Sequence, residues 1–316
     1  MPAIPAEDCP SKRRCPMAAL QLVPRVSLRN ILFTTDFSDY AERALPYAVG
    51  LARHYEGTVF VAHAIRPEPR PPIPLEPMPR ELDELRHHAE RAMDGFVRAA
   101  PLAGVRYEVI LEKGDTEPVF NDIVAKHSID LVVIATHGRA GLKRLLLGSV
   151  AEDIFRAVTC PVLTIGPDVT HNEMAAGKLR QVIYASDLSA ASLRALPYAI
   201  ALAADYGARL SCMHAIEEIT TIPLYYRERA LRDAREELEK LMPAHSGLPC
   251  EAQIIVVAGD PAEKVLQLAS DLNADLIVMG ARHEKASRLL SQVPWACTRK
   301  VICHATCPVL TVHAGP

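Results

Sequence analysis

At 316 residues and 49% hydrophobic content, the chain is long enough for two domains, each with a core of its own. A net charge of -3 and a pI near 6.5 supply no long-range field to gather nucleic acid or anionic lipid, and no run of about 18 apolar residues exists to cross a membrane. The eight cysteines are spread along a large chain rather than packed into a small secreted scaffold, so reduced thiols are expected instead of a disulfide framework.

Residues 1–27 carry prolines at 2, 5, 10, 16 and 24 without an apolar period and read as a disordered tail. The apolar stretch that follows Lys12-Arg13-Arg14 is too short for a secretory signal, which makes the cytoplasm the expected location. An apolar run Ile31-Leu32-Phe33, ending at Thr34-Thr35-Asp36, predicts a buried strand; Ala41, Ala44, Leu45, Ala48, Ala52 and Tyr55 then recur at helical spacing. Pro46 falls inside that helix, where it removes a backbone donor and should bend it. A second strand is expected over 58–65, then a stiff, exposed loop over 66–80 with seven prolines. A charged helix over 81–99 follows, then a strand around 107–111 ending in Gly114-Asp115, with Asp115 placed to cap the next helix. That helix runs to about His127, and a strand over 131–135, a glycine-bearing loop, a helix around 150–157 and a strand over 161–165 complete the series. Residues 168–178, polar and containing Gly177, read as a linker.

The chain then repeats itself. Residues 30–65 align without a gap on 181–216 at an offset of 151, with 14 of 36 positions identical. The match resumes at Gly114-Asp115 and Gly259-Asp260, at Asp130-Leu131 and Asp275-Leu276, and at Thr159-Cys160-Pro161 and Thr306-Cys307-Pro308. Asp260-Pro261 shows the cap-then-proline pattern of a helix start, and Pro197 repeats Pro46. The order βαβαβαβαβ in each half predicts two tandem doubly wound α/β domains, each with a five-stranded parallel sheet, over 28–167 and 179–316.

Chemistry is expected where the strand over 131–135 gives way to ATHGRAGLKRLLLGS, because ligands of open α/β sheets bind at the C-terminal edge of the strands. Gly138 and Gly148 allow close approach to their backbone, and Gly148-Ser149 opens a helix whose free N–H groups favour phosphate. Read by spacing alone, the same glycines could simply shape a turn. Lys143 and Arg144 could add positive charge or stand as solvated loop cations. Cys297, Cys303, His304 and Cys307, with His283 upstream, do not have the spacing of a structural zinc pair and read as packing residues; no metal ligand is assigned. His63 and His214 end matched strands and are given no catalytic role.

The segments ILFTTDFS, His63-Ala64-Ile65, the Gly-Asp helix start, ATHGRAGLKRLLLGSVAEDI and TCPVLTI together resemble a universal stress protein domain, over nearly all of 29–166 and again over 179–313. The resemblance implies a Rossmann-like fold of the adenine nucleotide alpha hydrolase-like kind in tandem. Its nucleotide-binding members show Gly, two residues, Gly, nine residues, Gly-Ser. Here Ala135 stands first, Gly138 second, and Gly148-Ser149 closes the pattern. By that resemblance Thr34, Thr35 and Asp36 line the adenine and ribose side, with Asp36 accepting from a ribose hydroxyl, and the backbone of Ala64 meets the adenine. Gly138, Arg139, Gly148, Ser149 and Val150 would hold the phosphates of ATP, with or without Mg2+ as counter-charge. The second half keeps Gly280 but has His283 and Val293-Pro294 at the later positions, where side chains obstruct and proline has no N–H. It is expected not to hold a triphosphate.

The resemblance also implies that the two domains pack as a pseudo-dimer through their last strands, and it leaves a homodimer of the whole chain open. Three functions are weighed: an ATP-responsive stress and regulatory protein, a slow ATPase or self-phosphorylating enzyme, and a scaffold without nucleotide. Thr34-Thr35-Asp36-Phe37-Ser38 after the first strand, in place of a glycine-rich loop, argues against substrate-adenylating enzymes.

Overall fold

The computed structural model describes residues 26–66, 79–137, 148–170, 173–217, 224–242, 248, 250–281 and 292–313. In the first half, β1 (Asn30–Thr34), β2 (Thr58–Ile65), β3 (Arg106–Lys113), β4 (Leu131–Ala135) and β5 (Val162–Ile165) alternate with α1 (Asp39–His54), α2 (Pro79–Ala99), α3 (Thr116–Lys126) and α4 (Ser149–Ala157). The second half repeats this with β6 (Gln181–Ala185), α5 (Ala190–Tyr206), β7 (Arg209–Ile216), α6 (Leu224–Leu241), β8 (Ala252–Ala258), α7 (Pro261–Asp271), β9 (Leu276–Ala281), α8 (Gln292–His304) and β10 (Val309–His313). Strands within a half are parallel and run in the order 3-2-1-4-5. The proline-rich loop and the tail fall almost wholly outside the described residues.

The central strands carry continuous apolar runs because helices cover both of their faces. Ile31, Phe33, Val59, Val61, Leu131 and Val133 point into one core with α1, α5 and the inner side chains Met93 and Phe96 of α2; Leu32, Phe60, Val132 and Ile134 point into the other with α3 and α4. Both cores run through both halves. Each half is pinned at the foot of its sheet by an aspartate that the repeat had marked without explaining. Asp130 Oδ2 accepts from the N–H groups of Arg29 and Asn30 at 2.9 Å each, and Asp275 Oδ2 accepts from those of Arg180 and Gln181 at 2.7 and 3.0 Å.

The halves share a single ten-stranded sheet, ordered β3-β2-β1-β4-β5-β10-β9-β6-β7-β8. Its seam is the antiparallel pair β5–β10, with Thr164 opposite Val309 and Val162 opposite Thr311. Two buried hydroxyls cross it in matched fashion: Thr164 Oγ1 donates to the Val309 carbonyl at 3.0 Å and Thr311 Oγ1 to the Val162 carbonyl at 3.1 Å. Replacing both by the isosteric valine is expected to destabilise the chain by about 1 kcal/mol per hydroxyl, measured in urea unfolding; an unchanged midpoint would exclude these bonds from the seam's stability. The ends of α1 and α5 also meet. Tyr55 Oη donates to Asp205 Oδ2 at 2.7 Å, and the His54 ring stacks on Tyr206 at 3.8 Å.

Local expectations divide. Asp260 caps α7 by accepting from the Glu263 N–H at 2.8 Å, whereas Asp115 occupies the matching position on α3 without a side-chain cap bond. The segment expected to be a plain linker is packed: Met174 is buried and the Thr170 N–H donates to the Thr306 carbonyl of the second half at 3.1 Å. Cys212, Cys303 and Cys307 are buried and in no disulfide, and burial pushes the thiols of Cys212 and Cys307 up to about 12, so these two remain protonated and inert. Among the described residues no helix is long and apolar enough to cross a membrane.

Candidate functional site

In each half the chain leaves β1 (or β6) toward one side of the sheet and β4 (or β9) toward the other, which opens a crevice between their C-terminal ends. In the first half that crevice lies between Thr35-Asp36 and Thr136-His137.

The β1 side is a tightly wound turn. The Thr35 N–H donates to Ala62 O at 2.9 Å, Thr35 Oγ1 accepts from the Phe37 N–H at 2.9 Å, and the Thr35 carbonyl lies 2.7 Å from His63 Nδ1. That carbonyl can only accept, so the ring carries its proton on Nδ1. Asp36 Oδ1 accepts from the Ser38 N–H at 3.1 Å and from Ser38 Oγ at 2.5 Å, while Ser38 Oγ caps α1 by accepting from the Ala41 N–H. Phe37 between them takes a left-handed backbone, φ 61°, which a non-glycine residue adopts only when its surroundings impose it. Here its ring packs on His63 and Phe96. Thr34 is buried beneath this turn, and Ala64 sits half-buried at the end of the neighbouring β2. The second half repeats the turn, with Leu188 at φ 59° and Asp187 accepting from the Ser189 N–H, although its later motif positions differ. The aspartate therefore winds the turn and helps to start the helix in both halves.

The β4 side holds the helix start. Half-buried Ala135 ends the strand, the Thr136 N–H donates to Ile165 O, and the Gly148 N–H donates back to Thr136 O at 2.9 Å. That last bond closes the glycine-bearing loop at its root. Gly138, Arg139, Lys143 and Arg144 lie within the loop, outside the described residues. Gly148 is the N-cap of α4 and has no side chain to turn onto the first-turn N–H groups, so the donors of Ser149 and Val150 open the helix without a side-chain cap. A Cβ at Gly148 would lie 3.2 Å from Thr136 O.

His137, which stands near the glycine loop but at no position of the motif, is the unusual group. It is 7% exposed, with Nδ1 3.1 Å from Thr136 Oγ1 and the Tyr40 ring at 5.6 Å, and its buried Nε2 has no hydrogen-bond partner among the described residues. Burial pulls its pKa below the usual imidazole range, and Asp168 acts in the opposite direction. Its only signal in the sequence was its place between Ala135 and Gly138. The helix start with its bare cap can take a phosphate-bearing ligand; among the described residues no acidic, cysteine or histidine cluster is arranged to hold a metal.

The second half differs at the equivalent positions. Tyr184, fully buried where the first half has Phe33, donates to the Ser192 carbonyl at 2.7 Å, and Ser186 Oγ donates to Ser192 Oγ at 3.1 Å. A Cβ at Gly280 would lie 2.3 Å from the Ala191 carbonyl carbon and 2.4 Å from Ser192 N. The first turn of α5 thus rests directly on β9, at the position where the first half has Ala135. Helix α8 begins at Gln292, which places Pro294 in its first turn without an N–H to offer.

A model of the universal stress protein family matches residues 27–166 and 178–313. The chain is 28% identical over 138 residues to a universal stress protein of Methanocaldococcus jannaschii, covering 43% of this chain and 81% of that one. It is 31% identical over 144 residues to a Staphylococcus aureus (strain USA300) protein named for the same family, covering 44% of this chain and 85% of that protein. Among solved structures, a universal stress protein from Archaeoglobus fulgidus DSM 4304 shares the fold across 92% of this chain and 98% of its own, with a TM-score of 0.68 at 23% identity.

Proposed function

The chain belongs to the universal stress protein family in both of its halves, and from that premise we propose that it is a nucleotide-responsive regulatory protein that holds ATP in its first half and uses its second half as a structural partner. The observation that carries this reading is the uncapped start of α4, bonded through the Gly148 N–H to Thr136 O at the end of β4. The peptide N–H groups of Ser149 and Val150 would receive phosphate oxygens, joined by Gly138 and Arg139 of the loop and by Mg2+ where it accompanies the nucleotide. Thr34, Thr35 and Asp36 would border the ribose, with the carboxylate accepting from a hydroxyl, and the Ala64 backbone would meet the adenine. Because Ser38 already engages Asp36 Oδ1, the carboxylate is orientated before the ligand arrives. Preorganisation of this kind lowers the ordering cost of binding.

Val293-Pro294 at the start of α8, in place of Gly148-Ser149, supports a stoichiometry of one. Protein purified without added nucleotide, or titrated with ATP, is expected to carry about one adenine nucleotide per chain when bound ligand is released by heat and quantified by chromatography. Two per chain would overturn the assignment of the second half. None, together with a failed titration, would make the protein a scaffold.

A further inference from the structure

The two ends of the ten-stranded sheet are not alike. Its outer strands, β3 and β8, correspond at an offset of 145 through Gly114 and Gly259. β3, RYEVILEK, carries four charges, whereas β8, AQIIVVA, carries none. An apolar edge strand presents a row of backbone donors and acceptors that another strand can take up. We propose that β8 is the surface through which two copies of this chain associate, edge to edge and antiparallel, about a two-fold axis at Ile255.

The ladder fixes which groups are available. The Leu210 N–H donates to the Glu251 carbonyl and the Gly259 N–H to the Ile216 carbonyl, so the odd-numbered residues of β8 bond to β7. Ala252, Ile254, Val256 and Ala258 then direct their N–H and C=O groups outward, and among the described residues no strand lies beyond them. An axis at Ile255 sets Ala252 opposite Ala258 and Ile254 opposite Val256 in bonded pairs, with Gln253 opposite Val257 and Ile255 opposite its own copy between them. No charge meets another. The matched pairing of β3 about Ile110 would set Glu108 against Glu112 on both sides of the axis, and like charges directly opposite are destabilising. Side-chain cover differs in the same sense: Ile110 is buried in one of the two cores, whereas Ile255 is half-buried and belongs to neither.

Helix α6 makes a second copy the fitting occupant. It crosses back between β7 and β8 and packs over both strands. A two-fold axis normal to the sheet lays the two copies of α6 side by side on one face, pointing in opposite directions. Residues 224–232 hold three arginines and one glutamate, and residues 233–241 hold four acidic and two basic side chains, so each helix sets a net +2 end beside the net -2 end of its partner. A surface that pairs with itself needs complementarity of that kind. The seam between β5 and β10 is already an antiparallel junction between two parallel sets of strands.

Sedimentation equilibrium of the full chain over a range of protein concentrations tests the proposal beside Ile255→Glu and Ile255→Lys. The wild type should dimerise. Either variant alone places like charges together on the axis and should dimerise at least about tenfold more weakly. An equimolar mixture of the two variants sets opposite charges together and should associate at least about tenfold more tightly than either alone. A wild type that stays monomeric, a dimer that Ile255→Glu leaves unchanged, or a mixture no tighter than its components would each overturn the proposal. Should a variant not fold by circular dichroism, hydrogen exchange of the wild type decides: slower exchange over 252–258 as protein concentration rises supports the edge pairing, and exchange that does not change with concentration refutes it.

Discussion

Gly148→Val removes ATP from the first half while leaving the protein folded. The native backbone at this position, φ -59° and ψ 146°, is open to any residue, so the substitution meets no conformational barrier. The added Cβ presses on Thr136 O, 3.2 Å away, which must yield by a few tenths of an ångström at a cost of about 1 kcal/mol. The two branches of valine then stand over the helix start, where phosphate oxygens would meet the Ser149 and Val150 donors. Losing two or more charge-assisted hydrogen bonds, at roughly 1.5 kcal/mol or more each, weakens binding by at least about 100-fold. Calorimetry measures the affinity and a thermal melt by circular dichroism checks the fold. Unchanged affinity in a folded variant would refute the site assignment.

Gly280→Ala has the opposite character, because it harms the fold of a half that is expected to hold no ATP. The new Cβ would lie 2.3 to 2.5 Å from three atoms of the Ala191-Ser192 backbone, and backbone cannot swing aside as a side chain can. Helix α5 must lift from β9, which pulls Ser192 away from Tyr184 and Ser186 and leaves buried hydroxyls short of partners. A loss of about 3 kcal/mol or more is expected in urea unfolding. The matched exchange in the first half, Ala135→Gly, should cost only about 0.5–1 kcal/mol, the usual price of glycine in a strand. Equal costs at the two positions would disprove the packing account of Gly280.

The contrast between these two glycines marks how far the sequence could be read. Spacing assigned Gly280 to the first position of a nucleotide pattern, because a motif records where a small residue stands and not what presses on it. The pressure comes from α5, whose distance from β9 is a tertiary property. Strands and helices were legible because their signals are local: Ile31-Leu32-Phe33 must be buried on both sides, and Ala41, Ala44, Leu45 and Ala48 repeat with the period of a helix. The pairing of the last strands followed from family resemblance, but its register, Thr164 with Val309, did not. The aspartates at 130 and 275 were visible as matched residues, yet their backbone partners lie about 100 positions away. His137 was the hardest case. An orphaned nitrogen exists only after burial has removed water from it, and nothing in a one-dimensional pattern reports that.

The seam between β5 and β10 has an evolutionary corollary. Separate chains joined along such an edge would assort at random, so a lineage that lost one crevice would produce mixed populations of assemblies. Tethered within one polypeptide, each β5 meets a β10 at an effective concentration set by the short connection and not by expression level. Divergence of one half is then inherited together with the intact partner, and every molecule carries the same pair. That freedom permits Gly280 to lie pressed against α5, and Pro294 to enter the start of α8, in a half whose counterpart keeps Gly148-Ser149, with the shared seam intact.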